Sequence, residues 1–169
     1  SLGVMTTNPS SRCAGAEPTH DPSEPSPQLS LRLLRARTGL IFGEIDAKLA
    51  ERAGGQILAL AAESPESIRV LLCSQGGHVE SGDTLHDILR FVRAPVEMIG
   101  TGWVASAGAL IYASAQREQR FALPNTRFML HQPSGGAWGP AADIAIAADQ
   151  IVSTRRRLDR IFAEATGQP

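Results

Sequence analysis

Ile68 to Cys73 is a near-continuous apolar run that follows Ser64-Pro65 and leads into Ser74-Gln75-Gly76-Gly77. Such a run suits a strand buried on both faces, and strands of that kind belong in parallel sheets covered by helices. The neighbouring segments repeat the pattern. Gly39 precedes a short apolar strand, Leu40-Ile41-Phe42, and Asp46 is placed to cap a helix through Leu49, Ile57, Leu58 and Leu60. A second helix, from about Gly82 to Val92, puts Leu85, Ile88, Leu89 and Val92 on one face and His86 on its exposed side. Pro95 stops it, and Val96 to Gly100 reads as another buried strand. Gly102-Trp103 predicts a turn, and a helix of small residues starts near Ser106. This alternation of strand and helix predicts an α/β domain with a largely parallel core.

The remaining segments follow the same logic. Arg120–Leu123 and Arg127–Leu130 read as two short strands around a Pro124-Asn125 turn. His131 stands directly at the end of the second. A glycine-rich loop, Ser134 to Pro140, leads into one long helix from Ala141 to about Ala165, with Ile144, Ala148, Ile151, Leu158, Ile161 and Phe162 as its apolar stripe. A helix of about 24 residues spans roughly 36 Å, longer than one small domain needs, so it is expected to project. Ahead of the first strand, Leu31, Leu33 and Leu34 with Arg32, Arg35 and Arg37 predict a short amphipathic helix. Gly54-Gly55 interrupts a helix at about 1 kcal/mol per glycine; it either permits close packing or kinks the helix.

Residues 1–28 carry Pro9, Pro18, Pro22, Pro25 and Pro27 among small polar residues. Too little apolar surface is available there to offset ordering entropy, and the segment reads as a flexible extension of a 29–169 domain. The 169 residues suit one domain rather than two. A net charge of −1 argues against nucleic-acid binding, and Arg155-Arg156-Arg157 reads as a solvated helix face. No stretch suits a membrane span or a secretory signal. Cys13 and Cys73 show neither metal-ligand spacing nor a disulfide framework. A cytoplasmic location without metal or cofactor is the expectation.

Three features carry chemistry. Ser106 stands between a buried strand and a helix, within Gly102-Trp103-Val104-Ala105-Ser106-Ala107-Gly108-Ala109. Helix-start N–H groups there point toward an anion beside the serine; the plainer alternative is a helix N-cap. Gly76-Gly77 closes a buried strand, where backbone N–H groups can turn outward to an oxyanion, or simply make a tight turn. His131, followed by Gln132-Pro133, can serve a serine as general base, although a lone histidine is more often structural. His78 adjoins the glycine pair and is placed to shape a groove.

Together these residues resemble the Clp protease proteolytic subunit from Gly39 to Gln168. Ile41-Phe42-Gly43-Glu44-Ile45-Asp46 is similar to that family's entry strand, and Ala105-Ser106-Ala107-Gly108-Ala109 to the motif around its catalytic serine. Phe121 to Pro133, ending in His131-Gln132-Pro133, is close to its histidine motif. His131 stands 25 positions after Ser106, a separation that agrees with that family. Gly135-Gly136, Gly139 and Asp143-Ile144 match the start of its long handle helix.

The resemblance implies a ClpP/crotonase-like fold of repeated β-α units with a projecting handle helix. It implies a serine endopeptidase with Ser106 as nucleophile, His131 as base and the backbone N–H groups of Gly77 and Ala107 as the oxyanion hole. Gly76, His78 and Gln132 would line an extended-peptide groove. The family assembles as two stacked seven-membered rings, homomeric or heteromeric, fed with unfolded protein by an AAA+ ATP-dependent unfoldase. Its catalytic aspartate lies beyond the long helix, so here it is expected after Pro169; Asp143, Asp149 and Asp159 lie within the helix and are not assigned. Gln75 stands where the family has proline, and the N-terminal extension shows no match to its axial loops. Two other readings follow from the same residues: a non-catalytic paralogue that co-assembles with an active subunit, and an acyl-CoA enzyme of the crotonase type.

Overall fold

A computed structural model of the protein describes residues 26–168. Most of the expected flexible extension, with Cys13 and His20, lies outside the described residues. Helix α1 spans Pro27–Arg35, with Pro at its first turn and Ser26 Oγ accepting from the Leu29 amide at 3.3 Å. Arg37 then turns the chain at φ 48, and its guanidinium donates to the carbonyls of Ser64, Glu66 and Ser67 at 3.0, 2.8 and 3.2 Å. Strand β1 (Thr38–Ile45) follows, and Asp46 caps α2 (Ala47–Glu63) as expected, accepting from the Leu49 amide at 2.7 Å.

Strand β2 is Ile68–Gly77, α3 is Val79–Phe91, β3 is Val96–Ala105 and α4 is Ala107–Ala113. A 3-10 turn at Arg117–Gln119 leads to β4 (Arg120–Ala122), β5 (Arg127–Met129) and α5 (Ala141–Thr166). All strand pairs are parallel, in the order β1-β2-β3-β4, and β5 also pairs with β3. The α/β alternation expected from the sequence is therefore present. Several boundaries differ: β1 and β2 are longer than expected, and β4 and β5 each end one residue early. Strand β3 runs on past Gly100, because Gly102 at φ 61 bends it without ending it. Helix α3 starts at Val79, three residues before Gly82.

The core lies between the sheet and α2, α3 and α4. Ile41, Ile45, Ile57, Leu60, Ile68, Val70, Leu72, Leu85, Met98 and Ile111 are among its fully buried members. Strand β2 is fully covered on one face only. Ile68, Val70 and Leu72 are buried, whereas Leu71 and Cys73 are half-buried, and exposed Arg69 pairs with Glu97 at 3.4 Å. The apolar run thus overstated its burial.

Gly54 settles the choice between packing and kinking. A Cβ there would come 2.7 Å from Ile88 Cδ1, so the glycine lets α2 and α3 approach closely. Gly55 is exposed and a Cβ there would meet nothing within 4 Å. Gly55→Ala is therefore expected to stabilise the fold by about 1 kcal/mol, read as a higher denaturant midpoint at unchanged m-value.

Helix α5 is 26 residues long, about 39 Å, and buries none of them fully. Its expected apolar stripe is covered from its middle onward: Ile151, Leu158, Ile161 and Phe162 are half-buried, while Ile144 and Ala148 are exposed, as are Ile146 and Val152 beside the stripe. Two arginines hold that end. Arg157 makes a bidentate pair with Asp83 on α3, at 2.5 and 2.6 Å, and this bond raises the arginine's pKa further. Arg120 donates to the carbonyls of Ala165, Ala115 and Ala113 at 2.7, 2.8 and 3.2 Å, joining the ends of α5 and α4. Burial of its guanidinium lowers the Arg120 pKa. The packing of α4 against α3, where a Cβ on Gly82 would come 3.0 Å from Ala107 Cβ, corrects the expectation for His86. Its side chain is buried rather than exposed, in a cleft it shares with Ala113 and Ile161.

Candidate active site

The strand β3 delivers Ser106 at its carboxyl end, and α4 begins at the next residue. Ser106 has φ 53 and ψ −121, and its side chain makes no capping hydrogen bond. A capping serine would be extended, with its hydroxyl on the first-turn amides. This one adopts a backbone that non-glycine residues hold only at a cost of about 1–3 kcal/mol.

Sheet register brings His131 to the same end. Strand β5 pairs with β3 as Trp103↔Arg127, Val104↔Phe128 and Ala105↔Met129. The Ser106 amide then donates to the Met129 carbonyl at 2.9 Å. His131 comes two residues later. Ser106 and His131 line one small cavity with Val79, Ala107, Leu110 and Phe162. Its volume of about 20 Å³ has room for roughly one water. Among the described residues no hydrogen bond joins the serine hydroxyl to the imidazole, and His131 is exposed. No carboxylate bonds its ring either. Asp159 borders the apolar groove beside His131, but its carboxylate faces Arg155 at 3.6 Å.

The glycine pair forms the opposite wall. Gly76 has φ 100, and a Cβ there would lie 2.6 Å from Ser106 Cβ and 3.2 Å from its Oγ. Gly77 has φ 153, and a Cβ there would strike the backbone of Ile45. The next amide, of His78, donates to the Ile45 carbonyl at 2.8 Å. By strand alternation the Gly77 N–H therefore faces away from β1. Ala107 is the first residue of α4, so its N–H has no partner within the helix. The Ser106 amide is already committed to Met129, which leaves Gly77 and Ala107 as the amides flanking the hydroxyl.

The other expected groove residues lie farther out. His78 occupies the N-cap position of α3 with Nδ1 3.2 Å from Ser81 Oγ and Nε2 3.9 Å from Glu80, and its ring is mostly exposed. Gln132 is exposed on the groove that His131 borders. Sequence reasoning assigned no role to Ser74, which is buried with its Oγ on the Gly76 amide at 3.0 Å. The available signal was local: a serine two residues before a glycine whose amide needs a partner. It also missed Leu158 and Phe162, which reach the serine's cavity from α5. Among the described residues, no three His, Cys, Asp or Glu side chains cluster as metal ligands would, and no helix is long and apolar enough to cross a membrane.

Comparison with known proteins points the same way as this geometry. The family profile for Clp protease matches residues 23–169. The chain is similar to the ATP-dependent Clp protease proteolytic subunit 3 of Rhizobium etli, at 57% identity over 137 residues, covering 81% of this chain and 71% of that one. It is equally similar to proteolytic subunit 2 of Gluconobacter oxydans, 57% identical over 148 residues, covering 86% of this chain and 66% of that one. Among solved structures, ClpP1 from Listeria monocytogenes is 48% identical with a TM-score of 0.75, covering 83% of this chain and 78% of that one. The matched stretch thus spans about two thirds to three quarters of these relatives.

Proposed function

The chain belongs to the Clp protease family, and on that premise we propose that it is a serine endopeptidase subunit with Ser106 as nucleophile and His131 as general base. In this reading Ser106 Oγ bonds to the peptide carbonyl carbon as its proton passes to the imidazole. The carbonyl oxygen takes up the displaced electron pair and is held by the N–H groups of Gly77 and Ala107. Collapse breaks the C–N bond, and His131 returns the proton to the leaving amine. Water then releases the acyl group from the serine by the same route, with His131 again as base. The carboxylate that orients His131 is assigned, on the family resemblance, to a residue after Pro169. Gly76, His78 and Gln132 would border the extended peptide.

The observation that carries the reading is the backbone of Ser106, strained at φ 53 with no capping bond to account for it. Assembly follows the family: stacked seven-membered rings in the cytoplasm, to which an AAA+ unfoldase delivers unfolded protein. ATP then belongs to the partner, and this chain needs no cofactor. The exposed Ile144, Ile146 and Val152 suit a helix that meets another subunit.

A fluorophosphonate probe tests the chemistry. The assembled full-length protein is expected to be labelled, and Ser106→Ala to show no labelling. Absence of label on the assembled wild type would instead favour a non-catalytic subunit that co-assembles with an active one. The lack of a Ser106–His131 hydrogen bond among the described residues is the observation on that side.

A further inference from the structure

Ser74 has no part in the chemistry above, yet it is one of the most deeply buried polar residues, at 1% exposure. A buried hydroxyl needs a partner, and Ser74 Oγ meets the Gly76 amide at 3.0 Å. That bond lies where β2 parts from β3, whose last paired residues are Ser74 and Val104. Beyond this point the end of β2 that carries Gly76 and Gly77 pairs with β1 alone and has no β3 on its other side. Both glycines lie at positive φ and have no side chains to pack. Gln75 is exposed and leaves its own φ unrestricted, as a proline would not. Ser74 also touches the other wall of the site. A Cβ on Gly108, in the first turn of α4, would be 3.3 Å from Ser74 Cβ and 3.7 Å from its Oγ. One buried side chain thus stands between the end of β2 that carries Gly77 and the helix turn of Ala107.

We infer that Ser74 is a positioning residue whose hydroxyl fixes the peptide before Gly76, so that the Gly77 N–H is held toward the oxyanion forming beside Ser106. The inference rests on the serine-protease reading and assigns that site a supporting group. The hydroxyl touches no substrate. Its effect is geometric: an oxyanion donor works when it is held where charge develops, and a misplacement of about 1 Å costs on the order of 100-fold.

The test compares wild type, Ser74→Ala and Ser74→Cys in the full-length, assembled protein, using a short fluorogenic peptide amide and a peptide boronate that mimics the tetrahedral adduct. Ser74→Ala is expected to lower kcat by about 10- to 100-fold with KM within about twofold. Boronate affinity is expected to fall by the same factor as kcat/KM, since both report the transition-state geometry. Ser74→Cys keeps a weak acceptor in place and is expected to fall between the two. Unchanged kcat in Ser74→Ala overturns the inference, and so does a loss carried by KM with boronate affinity intact. If Ser74→Ala fails to assemble, Ser74→Cys decides: a kcat equal to wild type overturns it. A wild type that neither cleaves the peptide nor takes up fluorophosphonate overturns the protease reading and this inference with it; an active wild type beside an unaffected Ser74→Ala overturns this inference alone.

Discussion

Ser106→Gly is expected to abolish peptide hydrolysis while making the fold more stable. Loss of the nucleophile should lower kcat by about 10⁴-fold or more, as removal of a nucleophile does in serine hydrolases generally. The stability change comes from the backbone. Serine at φ 53 and ψ −121 bears strain of about 1–3 kcal/mol. Glycine holds that conformation without a Cβ, though it adds freedom to the unfolded chain. The balance should be a gain of about 1 kcal/mol in denaturant unfolding. Ser106→Ala separates the two effects: it keeps a Cβ at the same φ, so it should lose the activity without the gain. A Ser106→Gly protein less stable than Ser106→Ala would mean that the strain is absent.

Gly77→Ala is the second large effect, and it falls on the fold. A Cβ at residue 77 would sit against the Ile45 carbonyl oxygen and 2.8 Å from the Ile45 nitrogen. Neither atom can rotate aside, because both belong to β1 and Ile45 is itself fully buried. The φ of 153 adds strain for any residue with a Cβ. Overpacking and strain together should cost about 3 kcal/mol or more, a large share of the roughly 5–15 kcal/mol that holds a domain of this size. Gly43→Ala is the control. Gly43 also has positive φ, at 89, but a Cβ there would meet nothing within 4 Å, so its cost should stay near 1 kcal/mol. Equal midpoints for the two variants in a urea titration would refute the steric argument.

The fold was legible because its strands are apolar and its helices one-sided, and those patterns survive in a single sequence. Burial of β2 was overestimated because composition along a strand does not reveal whether a second layer exists. The position of His86 was missed for a similar reason: α4 packs against α3, a contact between helices that a strand separates in the sequence. At the site, Ser106, His131 and the glycine pair were found through their order and their places at strand ends. The geometry that brings them together was hidden. Nothing in the sequence reveals a φ of 53 at Ser106, or that Gly76 leaves no space for a Cβ beside it. Ser74 stood in plain view within the glycine loop, but its burial and its bond to Gly76 are three-dimensional facts.

The 25 positions from Ser106 to His131 were the spacing that the sequence offered as a signature. The bond from the Ser106 amide to the Met129 carbonyl changes what that number means. The strand pairing measures distance from Met129, not along the chain from Ser106. Residues 116–119 could gain or lose a member in the course of evolution, and β5 would still dock on β3 and carry the histidine with it. A single deletion at Leu130 would instead pull the imidazole back by one strand position and turn it to the opposite face of the sheet. The interval that natural variation must respect is therefore the two residues after Met129, and the longer one is free to drift.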